Sequence, residues 1–232
     1  EKEMEDPAKL RKRGLTPFQT KIDSENELLT SVKDEFFVTI LRFATVFGHS
    51  RRPRFDLVAN LFAAQAMTNG VITVVGPDQW RPFIHVRDLA RAVVLILTTP
   101  TYAVQSQIFN VGDRRLNMTI LQLAESVKKV VENRTGKKVE ITVKDTIEDR
   151  RSYAVSFEKI QRTLGFEAET FLEDGVAEIV GHFQKGSYED YRSPVYSNVA
   201  VTREAVEAFR DPMQAAGLYA PLGPLRQHSK SK

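Results

Sequence analysis

The chain has 232 residues, 42% of them hydrophobic and 27% charged, with 33 Lys plus Arg against 30 Asp plus Glu. This composition excludes a disordered or collagen-like chain, and the length suffices for one large domain or two small ones. Because the sequence contains no cysteine, disulfides, thiolate metal sites and a cysteine nucleophile are also excluded. Its apolar runs fall far short of the roughly 20 residues that span a bilayer, so we do not expect an integral membrane protein.

The first residues, 1–16, mix acidic and basic side chains and contain no apolar run of the kind found in secretory signals. The chain begins with Glu1 and not with Met. We therefore expect a processed or partial product whose natural beginning lies further upstream, and we expect the protein in the cytoplasm.

Helix and strand patterns alternate along most of the chain. Helix formers and apolar residues at helical spacing predict helices over 21–32, 55–67, 86–97, 120–135, 156–164 and 173–184. Apolar or alternating runs predict strands over 36–42, 71–75, 107–111 and 139–143. The helix over 120–135 has clear ends, because Thr119 can cap its first turn and Gly136 lies just past its last. This alternation predicts an α/β fold with a smaller mixed lobe packed on a parallel sheet.

The same pattern divides the chain into three parts. A charged segment covers 1–16, the main α/β part covers 17–185, and an arm with a flexible tail covers 186–232. The arm sequence SYEDYRSPVYSNV contains turn formers and three tyrosines, and we expect it to lie on a neighbouring surface.

Five strings follow one another in order: LRFATVFG, RPRFDLVAN, VVGPDQWRPFIHVRDLARAV, IFNVGD and DRRSYAVSFEKIQRTLGF. Together they resemble the C-terminal part of the NAD-dependent epimerase/dehydratase family, the extended short-chain dehydrogenases/reductases that act on nucleotide sugars. The resemblance covers roughly residues 20–185. It implies an α/β fold in which the second half of a Rossmann-like parallel sheet carries a small mixed α/β substrate-binding lobe. It also implies a nucleotide sugar as ligand and NAD(P) as cofactor.

Two arginines are candidates for binding the diphosphate of such a ligand. Arginine suits this task because its planar guanidinium engages phosphate oxygens in pairs. Arg81 lies between a GPDQW turn and a strand that leads into a helix. The resemblance implies that Arg81 contacts the diphosphate and that Arg151 lies close to a second phosphate-binding position, which an alignment shifted by one residue would give to Arg150. For each, the alternative is a solvated surface arginine.

Three further residues are candidates for substrate binding. The resemblance places Thr45 where many family members carry an Asn that touches the sugar or phosphate, and its hydroxyl can still donate one hydrogen bond. Asp56, Leu57 and Asn60 fall in the stretch that approaches the nucleotide base and sugar in the family. The alternative for Asp56 is a cap at the start of a helix.

For His85 and Asp88 we expect structural roles, His85 as a satisfied core residue and Asp88 as a cap or a hydrogen bond between elements. The remaining histidines, His49, His182 and His228, have no ligand spacing, so we expect no metal site.

The chain departs from the family at its proton-transfer residues. The family uses a Tyr as general acid/base and a Lys four residues later that holds the ribose and lowers the pKa of the Tyr. Lys21 matches this lysine and is the candidate catalytic and cofactor-binding residue, but Pro17 stands four residues before it and Phe18 has no hydroxyl. The first Tyr of the sequence is Tyr102. The alternative for Lys21 is a surface lysine on a charged helix.

The glycine-rich turn that receives the NAD pyrophosphate in the family is a second departure, because the sequence contains no GxxGxxG or GxGxxG. We therefore expect NAD(P) as the cofactor of the family but not its binding by this chain alone, and we expect the isolated chain to be inactive.

Two functions remain open. The chain is either the nucleotide-sugar-binding part of an epimerase or dehydratase, or a non-catalytic pseudoenzyme or structural subunit of a larger assembly. A third, nucleic-acid binding, rests only on a pI near 9.1 and is not favoured. Because half a sheet exposes an apolar edge, we expect a homo-oligomer or a partner chain that covers it.

Overall fold

The computed structural model describes residues 17–33, 36–144, 151–188, 190–198 and 200–201. Its described part contains seven α-helices: α1 (Pro17–Thr30), α2 (Val58–Asn69), α3 (Val86–Thr98), α4 (Thr101–Val104), α5 (Ile120–Thr135), α6 (Glu158–Leu164) and α7 (Leu172–Gln184). Its strands are β1 (Thr39–Phe43), β2 (Thr45–Phe47), β3 (Val71–Val75), β4 (Trp80–His85), β5 (Gln107–Val111), β6 (Asn117–Thr119) and β7 (Glu140–Lys144). The charged segment 1–16, Arg150 and the predicted tail beyond residue 201 lie outside the described residues. None of the described helices is long and apolar enough to cross a membrane.

The elements with strong local signals form where the sequence predicts them. Strands β3 and β5 agree with the predicted strands at both ends. Helix α5 begins after Thr119, whose hydroxyl accepts a hydrogen bond from the Gln122 N–H while the Gln122 side chain accepts one from the Thr119 N–H. It ends at Gly136 in the left-handed conformation, with φ 69°. The predicted start and stop signals of this helix are confirmed.

Helix α2 begins three residues later than predicted, at Val58 and not at residue 55. Its N-terminal cap is Leu57, whose side chain makes no capping hydrogen bond. Phe55 is buried in the core, and Asp56 forms an ion pair with Arg54, so both residues belong to the loop that precedes the helix. The alternative of Asp56 as a helix cap is therefore wrong.

The strands pair mainly in parallel. β1 pairs with β5, β2 with β4 and β3 with β7, all in parallel, while β6 pairs with β4 in the antiparallel sense. Only Ala44 separates β1 from β2, so one extended stretch pairs first with β5 and then with β4. The predicted α/β fold with a parallel sheet is confirmed.

Two hydrophobic cores meet at the β2–β4 pair. Phe47 and Phe83 belong to the first core, which fills the space among α2, α5 and α7. Ile84 belongs to the second core, together with Phe109 of β5 and residues of α3 and α6. Phe83 and Ile84 are adjacent in sequence, and they serve different cores because successive side chains of a strand point to opposite faces. The β2–β4 pair therefore separates a three-helix lobe from the β1–β5 sheet.

Candidate functional site

The main candidate for a ligand-binding site lies at the start of β4. Trp80 opens this strand, and its N–H donates to Ser152 Oγ at 3.1 Å while its carbonyl accepts from the Tyr153 N–H at 3.1 Å. These bonds hold the segment 151–153 beside the strand. We call Trp80, Arg81 and residues 151–153 the arginine site.

Arg81 is held in the arginine site by several acceptors. Its Nη1 donates to the Trp80 carbonyl at 2.9 Å and to the Arg151 carbonyl, and its Nη2 donates to Gln79 Oε1 at 3.2 Å. The guanidinium also lies 5.2 Å from the centre of the Tyr153 ring, within the range of a cation–π interaction. The structure thus brings the Arg81 guanidinium to the main chain of Arg151, and the binding of a diphosphate by their two side chains stays a prediction.

The arginine site faces solvent. The side chains of Trp80 and Tyr153 are 42% and 38% exposed, and Arg151 is exposed as well. The Arg81 guanidinium brings positive charge to the site, and the rings offer flat apolar surfaces. The chemistry available here is the binding of an anion that carries a flat or partly apolar group.

Thr45 lies on the strand next to the arginine site. It is the first residue of β2 and stands opposite Phe83 in the parallel register with β4. Phe83 is two residues from Arg81, roughly 7 Å along the strand. Thr45 is half-buried, and its contact with a ligand stays a prediction.

Asn60 lies in the first turn of α2, beside the C-terminal end of β2, and is buried, with 3% of its surface exposed. Its Oδ1 accepts from the Gly48 N–H at 3.0 Å, and its Nδ2 donates to the Arg54 carbonyl at 3.1 Å. The amide therefore braces the chain between β2 and α2 from inside. Contact of Asn60 with a ligand stays a prediction.

Asp56 is paired within the same loop. Arg54 donates to its two carboxylate oxygens from Nε and Nη2, both at 2.9 Å, and Ser197 Oγ lies 3.5 Å from Oδ2. Burial alone would raise the pKa of Asp56, but these hydrogen bonds from Arg54, with others from backbone N–H groups, hold the pKa below its ordinary value. Asp56 is therefore ionised and tied to its own chain.

Lys21 lies on α1 and is exposed. Glu25, one turn further along α1, accepts from Arg42 Nε of β1 at 3.0 Å. Since residues four apart share a helix face, Lys21 lies on the side of α1 that reaches β1. The contact that links α1 to the β1–β5 sheet is the Glu25–Arg42 ion pair, and contact of Lys21 with a cofactor stays a prediction.

The expected structural roles of His85 and Asp88 are confirmed. His85 is 1% exposed, its Nδ1 accepts from the Arg87 N–H at 3.3 Å, and its Nε2 lies 3.1 Å from Glu178 Oε2. Asp88 is fully buried and accepts from the backbone N–H groups of residues 169 and 170 at 3.2 and 2.8 Å. Both side chains join α3 to the chain around α7.

A cluster around His49 was not predicted. The rings of His49 and His182 stack with centroids 3.5 Å apart, and His49 Nδ1 lies 2.6 Å from the Tyr188 hydroxyl. Burial raises the pKa of Tyr188 to about 12, and burial together with His182 lowers the pKa of His49. The sequence signal was the tyrosine-rich arm, which packs here on its own chain. Within the described ranges, no group of three or more His, Asp or Glu side chains is arranged to hold a metal ion.

One family model matches part of the chain. The model described as the NAD dependent epimerase/dehydratase family matches residues 6–112. The matched part includes α1, the β1–β2 stretch, Arg81 and β5.

Solved structures give the same fold. UDP-glucose 4-epimerase from Thermotoga maritima, solved with UDP-glucose, matches with a TM-score of 0.62 and 24% identity over 73% of this chain and 53% of its own. MoeE5, in complex with UDP-glucose and NAD, matches with a TM-score of 0.60 and 26% identity over 73% of this chain and 56% of its own. The dTDP-glucose 4,6-dehydratase from Bacillus anthracis, in complex with NAD, has a TM-score of 0.60 and 19% identity over 75% and 53%. The chain thus spans about half the length of these structures.

Proposed function

We propose that this chain is the nucleotide-sugar-binding part of an NAD-dependent epimerase/dehydratase, because the model of that family matches residues 6–112. In this proposal NAD(P) is held by a part of the fold outside these 232 residues. The protein acts in the cytoplasm, where nucleotide sugars are its ligands.

The observation that carries this proposal is the hydrogen bond from the Arg81 guanidinium to the main chain of Arg151, beside two exposed aromatic rings. A diphosphate needs cations in fixed positions, and guanidinium groups bind its oxygens in pairs. The bonds from Arg81 to main-chain carbonyls of β4 and of the segment 151–153 orient that group before a ligand arrives. Thr45, one strand away, is in a position to add a hydroxyl contact to the sugar or phosphate.

The described residues do not by themselves fit NAD(P). In dinucleotide-binding folds the pyrophosphate sits on a glycine-rich turn at a helix N-terminus. The N-terminal caps that the structure describes for its helices are Leu57, His85, Pro100, Thr119, Phe157 and Phe171. None of these caps is a glycine. Among the residues that the structure describes, Lys21 is then the candidate contact with the cofactor, and Pro17 offers no hydroxyl for proton transfer.

The cofactor-binding part is proposed to dock on the open side of β1. Within the described chain, β1 pairs with β5 and with no other strand. Large apolar side chains are exposed around it: Leu28 at 43%, Phe36 at 48%, Phe37 at 50% and Phe43 at 46%. An unpaired edge with exposed apolar groups favours addition of a further strand. The solved structures that match are about twice as long as the part this chain covers, which is the length such a second part requires.

The alternative function is a non-catalytic pseudoenzyme or structural subunit. Pro17 at the position of the family's Tyr favours this alternative. The hydrogen bonds of Asp56 with Arg54 and of Asn60 with Gly48 favour it too, because they occupy both side chains within the chain itself. A homo-oligomer formed through the β1 edge would also support the structural alternative. A second copy of the chain would then occupy the open side of β1, where the cofactor-binding part is proposed to dock.

Calorimetric titration with UDP-, GDP- and dTDP-sugars tests the proposal. We expect one of them to bind and Arg81→Ala to weaken this binding by about 10- to 100-fold, since hydrogen bonds to charged groups contribute roughly 1.5–3 kcal/mol. The matched control is Arg134→Ala, an exposed arginine at the far end of α5, about 22 Å along the helix from Thr119. Absence of binding by the folded chain, or equal loss in both variants, overturns the proposal in favour of the structural alternative.

A further inference from the structure

The tyrosine-rich segment 187–198, which we call the strap, lies along the loop 49–56 that joins β2 to α2. This loop leads into Asp56 and Leu57, the stretch predicted to approach the nucleotide base. No ligand or partner role follows from the strap's sequence alone, but its contacts with the loop are numerous and specific.

Polar contacts join the two segments at three points. At one end, His49 Nδ1 and the Tyr188 hydroxyl lie 2.6 Å apart. In the middle, Arg52 Nη1 donates to the Val195 carbonyl at 2.9 Å and Nη2 donates to Asn198 Oδ1. At the other end, Ser197 lies at Asp56. The strap therefore contacts both ends and the middle of the loop 49–56.

An aromatic cluster fixes the same two segments together. The Phe55 ring is 3% exposed, and the rings of Tyr188, Tyr191 and Tyr196 lie with centroids 5.0, 6.1 and 5.2 Å from it. All three are edge-on, the favoured arrangement for aromatic pairs. Phe55 is thus enclosed by three residues of the strap.

On its inner side the loop is held by Asn60, which bonds to Gly48 and to the Arg54 carbonyl. With the strap outside and Asn60 inside, the loop is restrained from both sides. A loop ordered in advance loses less conformational entropy when a ligand binds.

We propose that the strap is a positioning element: it holds the loop 49–56 in the conformation that receives the nucleoside end of the nucleotide sugar. Tyr188 and Arg52 are its positioning residues, and neither needs to touch the ligand. This inference rests on the proposed function. It assigns the affinity for the nucleoside to the loop 49–56 and the strap, and the binding of the diphosphate to the arginine site.

Two readouts test this division. The variants are Tyr188→Phe, which keeps the ring in its cluster and removes the hydroxyl, and Arg52→Ala. The control is Tyr102→Phe, which removes a hydroxyl from a side chain that is 81% exposed on α4. Hydrogen exchange of the amides of residues 49–57 is measured without ligand, and calorimetry is done with UDP, GDP, dTDP and inorganic pyrophosphate.

We expect faster exchange in the loop and about tenfold weaker binding of the nucleoside diphosphate in both variants, with pyrophosphate binding unchanged. A merely structural strap would weaken both ligands equally. Unchanged or tighter nucleotide binding in the variants overturns this inference alone, since the strap would then be neutral or would cover the site. If the unaltered chain binds none of the nucleotides, the proposed function fails and this inference fails with it. Because Tyr188→Phe retains the aromatic packing, a loss of folding in Arg52→Ala leaves the test intact.

Discussion

Gly48 and His85 leave no room for a side chain between them: a β-carbon on Gly48 would lie 2.3 Å from His85 Nε2. Gly48 also has φ +113°, a conformation that L side chains rarely adopt. The imidazole lies close to a second glycine as well, because a β-carbon on Gly175 would lie 2.7 Å from its Cδ2. The ring is therefore held by two glycines as well as by its bonds to Arg87 and Glu178.

We expect Gly48→Ala to lower the free energy of unfolding by about 3 kcal/mol or more, because overpacking and backbone strain add. Urea unfolding measures the change. Gly181→Ala is the matched control, since nothing lies within 4 Å of its β-carbon position and it lies inside α7. Alanine in a helix is favoured over glycine by about 0.5–1 kcal/mol, so this variant should gain stability. Similar values for the two variants would contradict the packing around His85.

The free energy of unfolding should fall on mild acidification. Burial holds the pKa of His85 below 6.5 although Glu178 opposes this, and burial together with His182 does the same to His49. A histidine with a lowered pKa binds fewer protons in the folded chain than in the unfolded one. Its contribution is therefore complete above pH 6.5 and is lost as the pH falls below that value. We expect less stability at about pH 5.5 than at about pH 7.5 by urea unfolding.

The variant Glu178→Gln sharpens this test. Because Glu178 raises the pKa of His85, its neutralisation lowers that pKa further and makes the loss on acidification larger. Titration of the His85 ring by NMR reports the shift directly. The carboxylates Asp56 and Asp113 have lowered pKa values and titrate below about pH 4, so they do not act in this range. Stability that stays constant from neutral pH to about pH 5.5 would show that these rings titrate as if exposed.

Asp88→Asn should be strongly destabilising. The buried carboxylate accepts two backbone N–H groups and Arg91 Nη1, the last at 2.6 Å. An amide can turn only one acceptor toward them, so we expect a loss of about 2–4 kcal/mol in the free energy of unfolding. Asp78→Asn, at an exposed position, should stay within about 0.5 kcal/mol. Equal stability of the two variants would mean that Asp88 does not join α3 to the residues before α7.

The surface beside β1 should cause association. Phe37 is 50% exposed near the unpaired edge, and Phe37→Lys should reduce any concentration-dependent association seen by sedimentation velocity. Leu97→Lys is the control, because Leu97 is 78% exposed on α3, on a different element. We expect the control to associate like the unaltered chain. A monomer at about 100 µM that is unaffected by either change would remove the β1 surface as a docking site.

Restoring the tyrosine alone should not create an enzyme. Pro17→Tyr supplies the hydroxyl four residues before Lys21, but the described helix caps provide no glycine-rich turn for the pyrophosphate of NAD(P). We therefore expect no turnover of UDP-glucose with NAD by the P17Y chain, measured as sugar product and as reduced nicotinamide. Turnover by this chain, with or without the substitution, would refute the division of the fold between two parts.

Local signals predicted the elements well, and the long-range pairings less so. Thr119 and Gly136 define α5 because capping depends on residues within one turn. The segments around Arg81 and Arg151 are 70 residues apart, and only the family resemblance indicated that they meet. The start of α2 was misplaced because the burial of Phe55, a tertiary contact, removes that residue from the helix.

The strap was the main feature that the sequence did not reveal. Its tyrosines indicated a surface that would be covered, but no pattern distinguishes a neighbouring chain from the chain's own loop. The contact between His49 and Tyr188 joins residues 139 positions apart. Such a pairing depends on how α7 delivers the chain to the end of β2, which no local rule describes.

The stretch 39–47 serves both cores, since Ala44 belongs to one and Phe47 to the other. Its partner strands, β4 and β5, come later in the chain, so the β2 half lacks its partner until residue 85 has been made and the β1 half until residue 111. The two lobes are consequently expected to unfold together. Disruption of one core displaces the stretch 39–47 and so removes a strand from the other core, and we expect a single thermal transition.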